Sequence, residues 1–599
     1  MRKFKELIPA LKISAIIAFV LLFTESIENY IFFSSYFPRA NAYSVIVNRT
    51  ILKFLTLPLL QLAGAAFALY IFIIFFFVFT IAVLYYKLKP VNKLPVLWFG
   101  LLAFVSIYFA LYFVYGFNAF LHPRSQVQHF ILYQFVFPRP ELPVPFIIAG
   151  FYWIFLFIFT IAITKNKLLS GLLSFAVIFA VSTISVTRYF PDSKKFAKKD
   201  NVVFIGLDSL QYNRLSKRLG YEKDLAPNAD KFIRNAVCFK NAWTPLARTY
   251  PAYISILTGR YPIHTGARAN LVPDYYLNPG NAYLGNILKQ HDYYCLYCTD
   301  DVRFSNIRPM HGFDEVFCPR KDIAAMFISA FYDYAFCNIL IQNGALPALF
   351  KPVIYNRSHV AYNPMLFINK VIRRINNLPR NKKQFIAVHL CVNHHPYSIA
   401  YPYARDKNLI NPHEQCIRAL DEQLGVLLKY LKACGLYDNS VVVLFSDHGD
   451  GWDYGGDFST HGNTFYYPWS NRMVLALYSN GILPMEIDNT AAATDIYPTL
   501  LDSLGIAIPK DIDGRSLMPL VKGEYLPETA IFAETGYGFQ INNESNASEV
   551  AKKVRSQMKR FKVNENTGYL FLQDADYADI IRKKWYMMLE NGMRYVYSP

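Results

Sequence analysis

The stretch SVVVLFSDHGDGWDYGGDFSTHG (440–462) begins as an unbroken apolar run and passes at once into aspartates, histidines and glycines. A run of this length without polar alternation suits a strand buried on both faces, as in a parallel sheet. The part that follows has two readings, a metal site or a polar loop, since Asp and Gly are also what turns are made of. Two further segments have the same character, NVVFIGL (201–207) and FIAVHLCV (385–392). Between 385–392 and the run from Ser440 lies HEQCIRALDEQLGVLLKYLKACG (413–435), with apolar positions three and four apart and a closing glycine, which is a helix pattern. Strand–helix alternation of this kind predicts an open, doubly wound, mostly parallel α/β sheet. In such sheets ligands bind beyond the carboxyl ends of the strands. There the sequence places Asp208, then Asn393, His394 and His395, and then Asp447 and His448. One polar residue at a strand end is ordinary, whereas three strands delivering metal-ligating residue types together favour a site.

The first 190 residues have a different composition. Five long apolar stretches lie near 13–33, 57–86, 94–117, 144–164 and 168–187, each of the roughly 20 residues that a bilayer span requires. They predict an N-terminal bundle of about five transmembrane helices over 1–187, the first a retained anchor. The net charge of +18 resides largely there: residues 1–199 carry 19 Lys/Arg against 5 Asp/Glu, leaving 42 against 38 for the rest. Nucleic acid is therefore excluded as the partner that the basic balance first suggests. The clusters Arg2, Lys3 and Lys5, then Lys87, Lys89 and Lys93, then Lys165 and Lys167 fall on one side of a five-span bundle. The positive-inside rule makes that side cytoplasmic, which puts the remainder of the chain in the periplasm or outside the cell. Lys194, Lys195, Lys198 and Lys199 run against that orientation. Residues 188–200 read as a linker, 201–535 as the catalytic domain and 536–599 as its C-terminal part.

All eight cysteines lie between Cys238 and Cys434, and an even number in an exported domain predicts disulfides. Cys295 and Cys298 have C-x-x-C spacing but no second half of a zinc site, so a structural role is expected. The basic segment SEVAKKVRSQMKRFKV (548–563) has a helical pattern and reads as a solvated face.

A second chemical feature is RTYPAYISILTGRYP (248–262). Pro251 suits the first turn of a helix that ends at Thr258-Gly259, which sets Thr249 at the helix N-terminus. There it is either an N-capping residue or, next to an anion-binding helix end and a metal, an activated nucleophile. These residues resemble the alkaline phosphatase/sulfatase superfamily. Its C-x-P-S-R…T-G-R signature aligns Thr249 with the Cys and matches Pro251, while Ala252 and Tyr253 replace the Ser and Arg. The SDHG at 446–449, HGFDEVF at 311–317 and DIYPTLLDSLGIAIPKDIDGRSLMPLVKG at 495–523 resemble further stretches of the family, in the right order.

What the resemblance implies follows from its departures. Thr cannot be converted to the formylglycine of sulfatases, and Ser209 stands where they usually have a second Asp. A Thr nucleophile is instead a feature of the superfamily's phospho-group enzymes, among them lipoteichoic acid synthases and phosphoethanolamine transferases, which also carry about five N-terminal spans. By that resemblance Asp208, Thr249, Asp447 and His448 hold a divalent metal, and the donor set of two carboxylates, an imidazole and a hydroxyl suits Zn or Mn. His461 matches a histidine that contacts substrate or a second metal, and His395, or else His394, a substrate histidine. Asp421 is either the family's mid-domain acid or a helix-surface residue. Asp450, Asp453 and Asp457 read as the solvated arc of the loop, with Asp450 and Asp457 as alternative ligands. The expected activity is a metal-dependent phospho-group transfer from a phospholipid donor to a lipid or glycan acceptor. The alternatives are an exported sulfatase or phosphodiesterase-type hydrolase, or a non-catalytic lipid-binding scaffold.

Overall fold

The computed structural model describes residues 200–302, 306–319, 364–394, 412–450, 461–466, 468–536 and 559–599, with a few isolated positions at 195, 196, 356, 357, 362 and 397. All belong to one compact unit running from Phe190 to Pro599 apart from 326–354 and 359–361. The five apolar stretches before residue 190, His395 and most of the basic 548–563 segment lie outside the described residues. Among the described residues no helix is long and apolar enough to cross a membrane.

In chain order the elements that shape the site are β1 (Asn201–Leu207), α1 (Pro227–Arg234), β2 (Val237–Trp243), α2 (Thr249–Thr258), α3 (Leu284–Gln290), β3 (Tyr293–Thr299) and β4 (Glu315–Phe317). They continue as α4 (Pro364–Asn376), β5 (Lys383–Leu390), α5 (Pro412–Ala433), β6 (Ser440–Phe445), β7 (Arg472–Met473), β8 (Leu475–Tyr478), β9 (Met485–Ala492) and α6 (Ile496–Ser503). The C-terminal part adds β10 (Ile531–Glu534), β11 (Phe561–Val563), β12 (Leu570–Leu572), α7 (Asp574–Arg582), β13 (Tyr586–Glu590) and β14 (Met593–Tyr597).

Nine strands form one sheet in the order β4-β3-β5-β1-β6-β8-β2-β7, with β9 also on β2. From β4 to β6 every pairing is parallel, and β8 enters antiparallel to both β6 and β2. The three apolar runs are thus the three adjacent central strands, with β1 between β5 and β6. Each is buried from end to end, apart from the first residue of β5, so neither face of these strands is wet and no alternating polar residues are called for. The register sets Leu207 beside Leu390 and Gly206 beside Phe445, so the carboxyl ends of the three strands are level. A separate three-stranded sheet, β10-β13-β14, packs through Ile531, Ala533, Met587 and Leu589 on Trp243, Phe465 and Ala492.

Several expectations are corrected here. The seven described cysteines are all free thiols. Cys295 and Cys298 share strand β3, where residues three apart point to opposite faces, so that pair cannot bridge. Within the basic C-terminal segment, 561–563 is not helical but a strand paired with β12. Asp421, on α5, is neither a ligand nor a surface residue: its buried carboxylate accepts the backbone N–H groups of Asn228 and Ala229 at 3.0 and 2.8 Å and so caps α1. Such a cap satisfies donors that a helix leaves open at its first turn.

Candidate metal centre and active site

The chain leaves β1 through Asp208 and Ser209, and Ser209 adopts a left-handed conformation (φ 57°). That strained geometry lets one serine hold two carboxylates. Its hydroxyl donates to Asp208 Oδ1 at 2.8 Å and its backbone N–H to Asp447 Oδ1 at 3.2 Å. The residue that replaces the sulfatases' second Asp therefore works as a bracket between the acids of two neighbouring strands. Asn393, just beyond β5, donates to the Ser209 carbonyl at 3.2 Å and closes the same corner.

From β6 come Asp447 and His448, both fully buried. His448 Nδ1 lies 2.8 Å from the Gly449 carbonyl, which can only accept, so this nitrogen carries the proton and Nε2 presents its lone pair. Nε2 stands 3.4 Å from Asp447 Oδ2 and 3.9 Å from Asp208 Oδ1. Two ligands at metal–ligand distances of about 2.1 Å in tetrahedral array are themselves about 3.4 Å apart. Asp208, Asp447 and His448 offer ligand atoms that all lie within 4.8 Å of one another. Thr249 Oγ1, Asp447 Oδ2 and His448 Nε2 are buried without a hydrogen-bond partner. Buried atoms of this kind are costly as they stand, and a divalent cation held between Asp208, Asp447 and His448 would satisfy the two that belong to that group.

Thr249 is the first residue of α2, preceded by Arg248 in extended conformation, and the helix closes on Gly259 at φ 67°. Ahead of it, the buried Arg248 guanidinium donates to the His461 carbonyl and to Asn463 Oδ1, which ties the helix entry to the later loop. His461 is brought back onto the site: its ring stacks on His448 with centroids 4.2 Å apart, and His394 meets it edge-on at 5.1 Å. His394 is thus the described member of the 394–395 pair beside the centre. Asp450 is not part of a solvated arc. It is fully buried and accepts the Tyr397 hydroxyl, while Asp453 and Asp457 fall outside the described residues.

Electrostatics divide the two acids. Burial alone would raise Asp208, yet His394, His389 and His448 around it hold its carboxyl far below the usual range. Burial and the neighbouring Asp208 charge push Asp447 upward. The negative charge is thus favoured on Asp208 and disfavoured on Asp447.

Sequence reading missed His389. It sits inside an apolar strand, where a buried histidine looks like filling, yet its Nε2 donates to Asp208 Oδ2 at 3.3 Å. Cys391 lies close by as well, but burial holds its thiol well above the normal range, so it remains protonated. The only sequence signal for His389 was its position near the carboxyl end of an apolar run, four residues before Asn393.

Residues 200–506 match the Sulfatase family. The chain belongs to the sulfatase family. It is an enzyme of the alkaline phosphatase/sulfatase superfamily, and the superfamily's use of a divalent metal agrees with the Asp208–Asp447–His448 group. Among relatives, an ulvan-active sulfatase of Formosa agariphila is 26% identical over 359 residues, which cover 54% of this chain and 65% of the relative. The lipoteichoic acid synthase-like YvgJ of Bacillus subtilis is 24% identical over 355 residues, 55% of this chain and 51% of the relative. The chain therefore spans between about half and two thirds of the length of these relatives. A solved phosphonate monoester hydrolase from Silicibacter pomeroyi aligns at 18% identity with a TM-score of 0.45, covering 67% of this chain and 87% of the other.

Proposed function

We propose that this sulfatase-family enzyme is a membrane-anchored, metal-dependent phospho-group transferase that acts on envelope lipid or glycan with Thr249 as nucleophile. The observation that carries this reading is the Thr249 hydroxyl, buried and without a hydrogen-bond partner at the first position of α2. A capping threonine would spend its oxygen on a backbone N–H of the first turn, and Thr249 does not. Asp208, Asp447, His448 and Thr249 would hold a Zn or Mn ion, whose charge lowers the hydroxyl's pKa and offsets charge on the phosphoryl oxygens.

Thr249 Oγ attacks the phosphorus of a phospholipid diester, and the bond from phosphorus to the lipid alkoxide breaks. A histidine, His461 or one of the 394–395 pair, delivers the proton that the leaving oxygen takes. A sugar or lipid hydroxyl then attacks the phospho-threonine, gives up its proton and restores the Thr249 hydroxyl. The five apolar stretches before residue 190 support an anchor in the plasma membrane with the catalytic domain outside, which keeps the site near its donor at high effective concentration. The 26% match to a sulfatase favours one second reading, an ester hydrolase in which water is the final acceptor.

The test is mass spectrometry of the full chain after incubation with membrane phospholipid. An ethanolamine-phosphate or glycerol-phosphate adduct on Thr249, absent in Thr249→Ala, is expected. No adduct with any phospholipid, together with release of sulfate from an aryl sulfate, would overturn the transferase in favour of the hydrolase.

A further inference from the structure

Tyr253 occupies the position at which the related signature has Arg, and the structure gives it a specific partner. Thr249 and Tyr253 are four apart on α2 and so share a face of the helix. From that face the Tyr253 ring reaches β5, where it meets the His389 ring edge-on with centroids 4.6 Å apart, and its hydroxyl hydrogen-bonds His389 Nδ1. The other ring nitrogen, Nε2, is 3.3 Å from Asp208 Oδ2. An ionised carboxylate only accepts, so Nε2 carries the proton, and in the neutral ring Nδ1 receives the tyrosine's. The chain Tyr253 O–H to His389 to Asp208 therefore has one polarity. Gly206, opposite His389 in the β1–β5 register, makes room for it: a Cβ there would overlap the Tyr253 hydroxyl and lie 2.9 Å from His389 Nδ1. All four residues are buried.

We propose that Tyr253 and His389 are positioning residues that lock the Asp208 carboxylate, holding Oδ2 so that Oδ1 faces His448 and the metal position. The pair would take over, with a hydroxyl–imidazole relay, a place that the related signature fills with a guanidinium. Partners of this kind fix a ligand's geometry and raise its basicity. The inference rests on Asp208 being a metal ligand, as the proposed function has it.

The experiment measures Mn²⁺ and Zn²⁺ affinity of the full-length protein by chelator competition, with metal-free melting temperature as the folding control. Tyr253→Phe, which keeps the ring in its pocket, is expected to weaken metal binding by about tenfold, within the range seen when such partners are removed. His389→Ala should weaken it at least as much, and His389→Gln, which retains an N–H donor, should recover part of the loss. Wild-type affinity in both Tyr253→Phe and His389→Ala, alongside weak binding by Asp208→Asn, would overturn the positioning role and leave the metal site standing. Wild-type affinity in Asp208→Asn would overturn the metal assignment and this inference with it.

Discussion

The His461 imidazole lies nearly flat on that of His448, with centroids 4.2 Å apart and planes inclined by 23°. The two residues are thirteen apart in sequence. His448 turns Nε2 towards Asp208 and Asp447, and the His461 ring stacks against the same imidazole. His461 thus lies against the Asp208–Asp447–His448 group without belonging to it, and the proposed function gives it a role towards substrate.

Replacing His461 by Ala should therefore lower kcat by about 100-fold or more, in the range of general acid–base contributions, with bound metal kept. Metal content by mass spectrometry and turnover on the same preparation check this. Loss of metal in proportion to activity would make His461 a ligand.

Thr249→Val should separate stability from chemistry. In the metal-free protein the Thr249 hydroxyl is buried without a partner, and removing such a group is neutral or stabilising. The variant should melt at or slightly above the wild-type temperature in chelator, while it forms no covalent phospho-intermediate. Calorimetry with and without EDTA gives the first quantity and adduct mass the second.

Chelation should lower the stability of the wild-type domain. Asp208 and Asp447 are both buried, with ligand atoms within 4.8 Å of one another and of His448, so a bound cation offsets a standing repulsion. Metal at 1,000 times its dissociation constant adds about 4 kcal/mol by mass action. The melting temperature should fall in EDTA and recover with Zn²⁺ or Mn²⁺, and no change would count against the site.

Stability should also depend on pH through acids remote from the centre. Burial pushes the carboxyls of Asp421 and Asp495 up to about 6, against about 4 in an unfolded chain. Between those values the folded state keeps protons that the unfolded chain has released. The contribution is therefore most favourable below about pH 4 and declines as pH rises to about 6. Two units correspond to at most about 3 kcal/mol per group. In Asp495→Asn the slope of melting temperature against pH over this window should be shallower than in wild type. The variant should be less stable throughout, because one of the two backbone N–H groups that Asp495 accepts, from Ala492 and Arg515, loses its acceptor.

Thiol titration in denaturant should find at least seven reactive cysteines without prior reduction, matching the seven free thiols of the described residues. In the native state Cys295, pushed up to about 12 by burial, should react slowly.

What the sequence determined by itself was whatever local pattern controls. Unbroken apolar runs announced the central strands, and observed strands Asn201–Leu207, Lys383–Leu390 and Ser440–Phe445 differ from the expected limits by two residues at most. The residues beyond those runs, Asp208 and the Asp447–His448 pair, were legible because parallel strands present their carboxyl ends together. The helix from Thr249 to Thr258 was legible from Pro251 and Gly259.

Tertiary structure decided the roles that depend on a distant partner. Asp421 became a helix cap because Asn228 and Ala229 lie against it from 193 and 192 residues away. Asp450 became a buried anchor because Tyr397 reaches it across 53 residues. His389 looked like strand filling until Tyr253, 136 positions earlier, and Asp208, 181 earlier, were found on its two nitrogens. Periodicity reports which face of an element turns to the core, because that pattern is written in the spacing of apolar residues along the chain. A hydrogen bond in the core needs two groups at about 3 Å in a defined orientation, and only the folded sheet brings Tyr253, His389 and Asp208 to that distance.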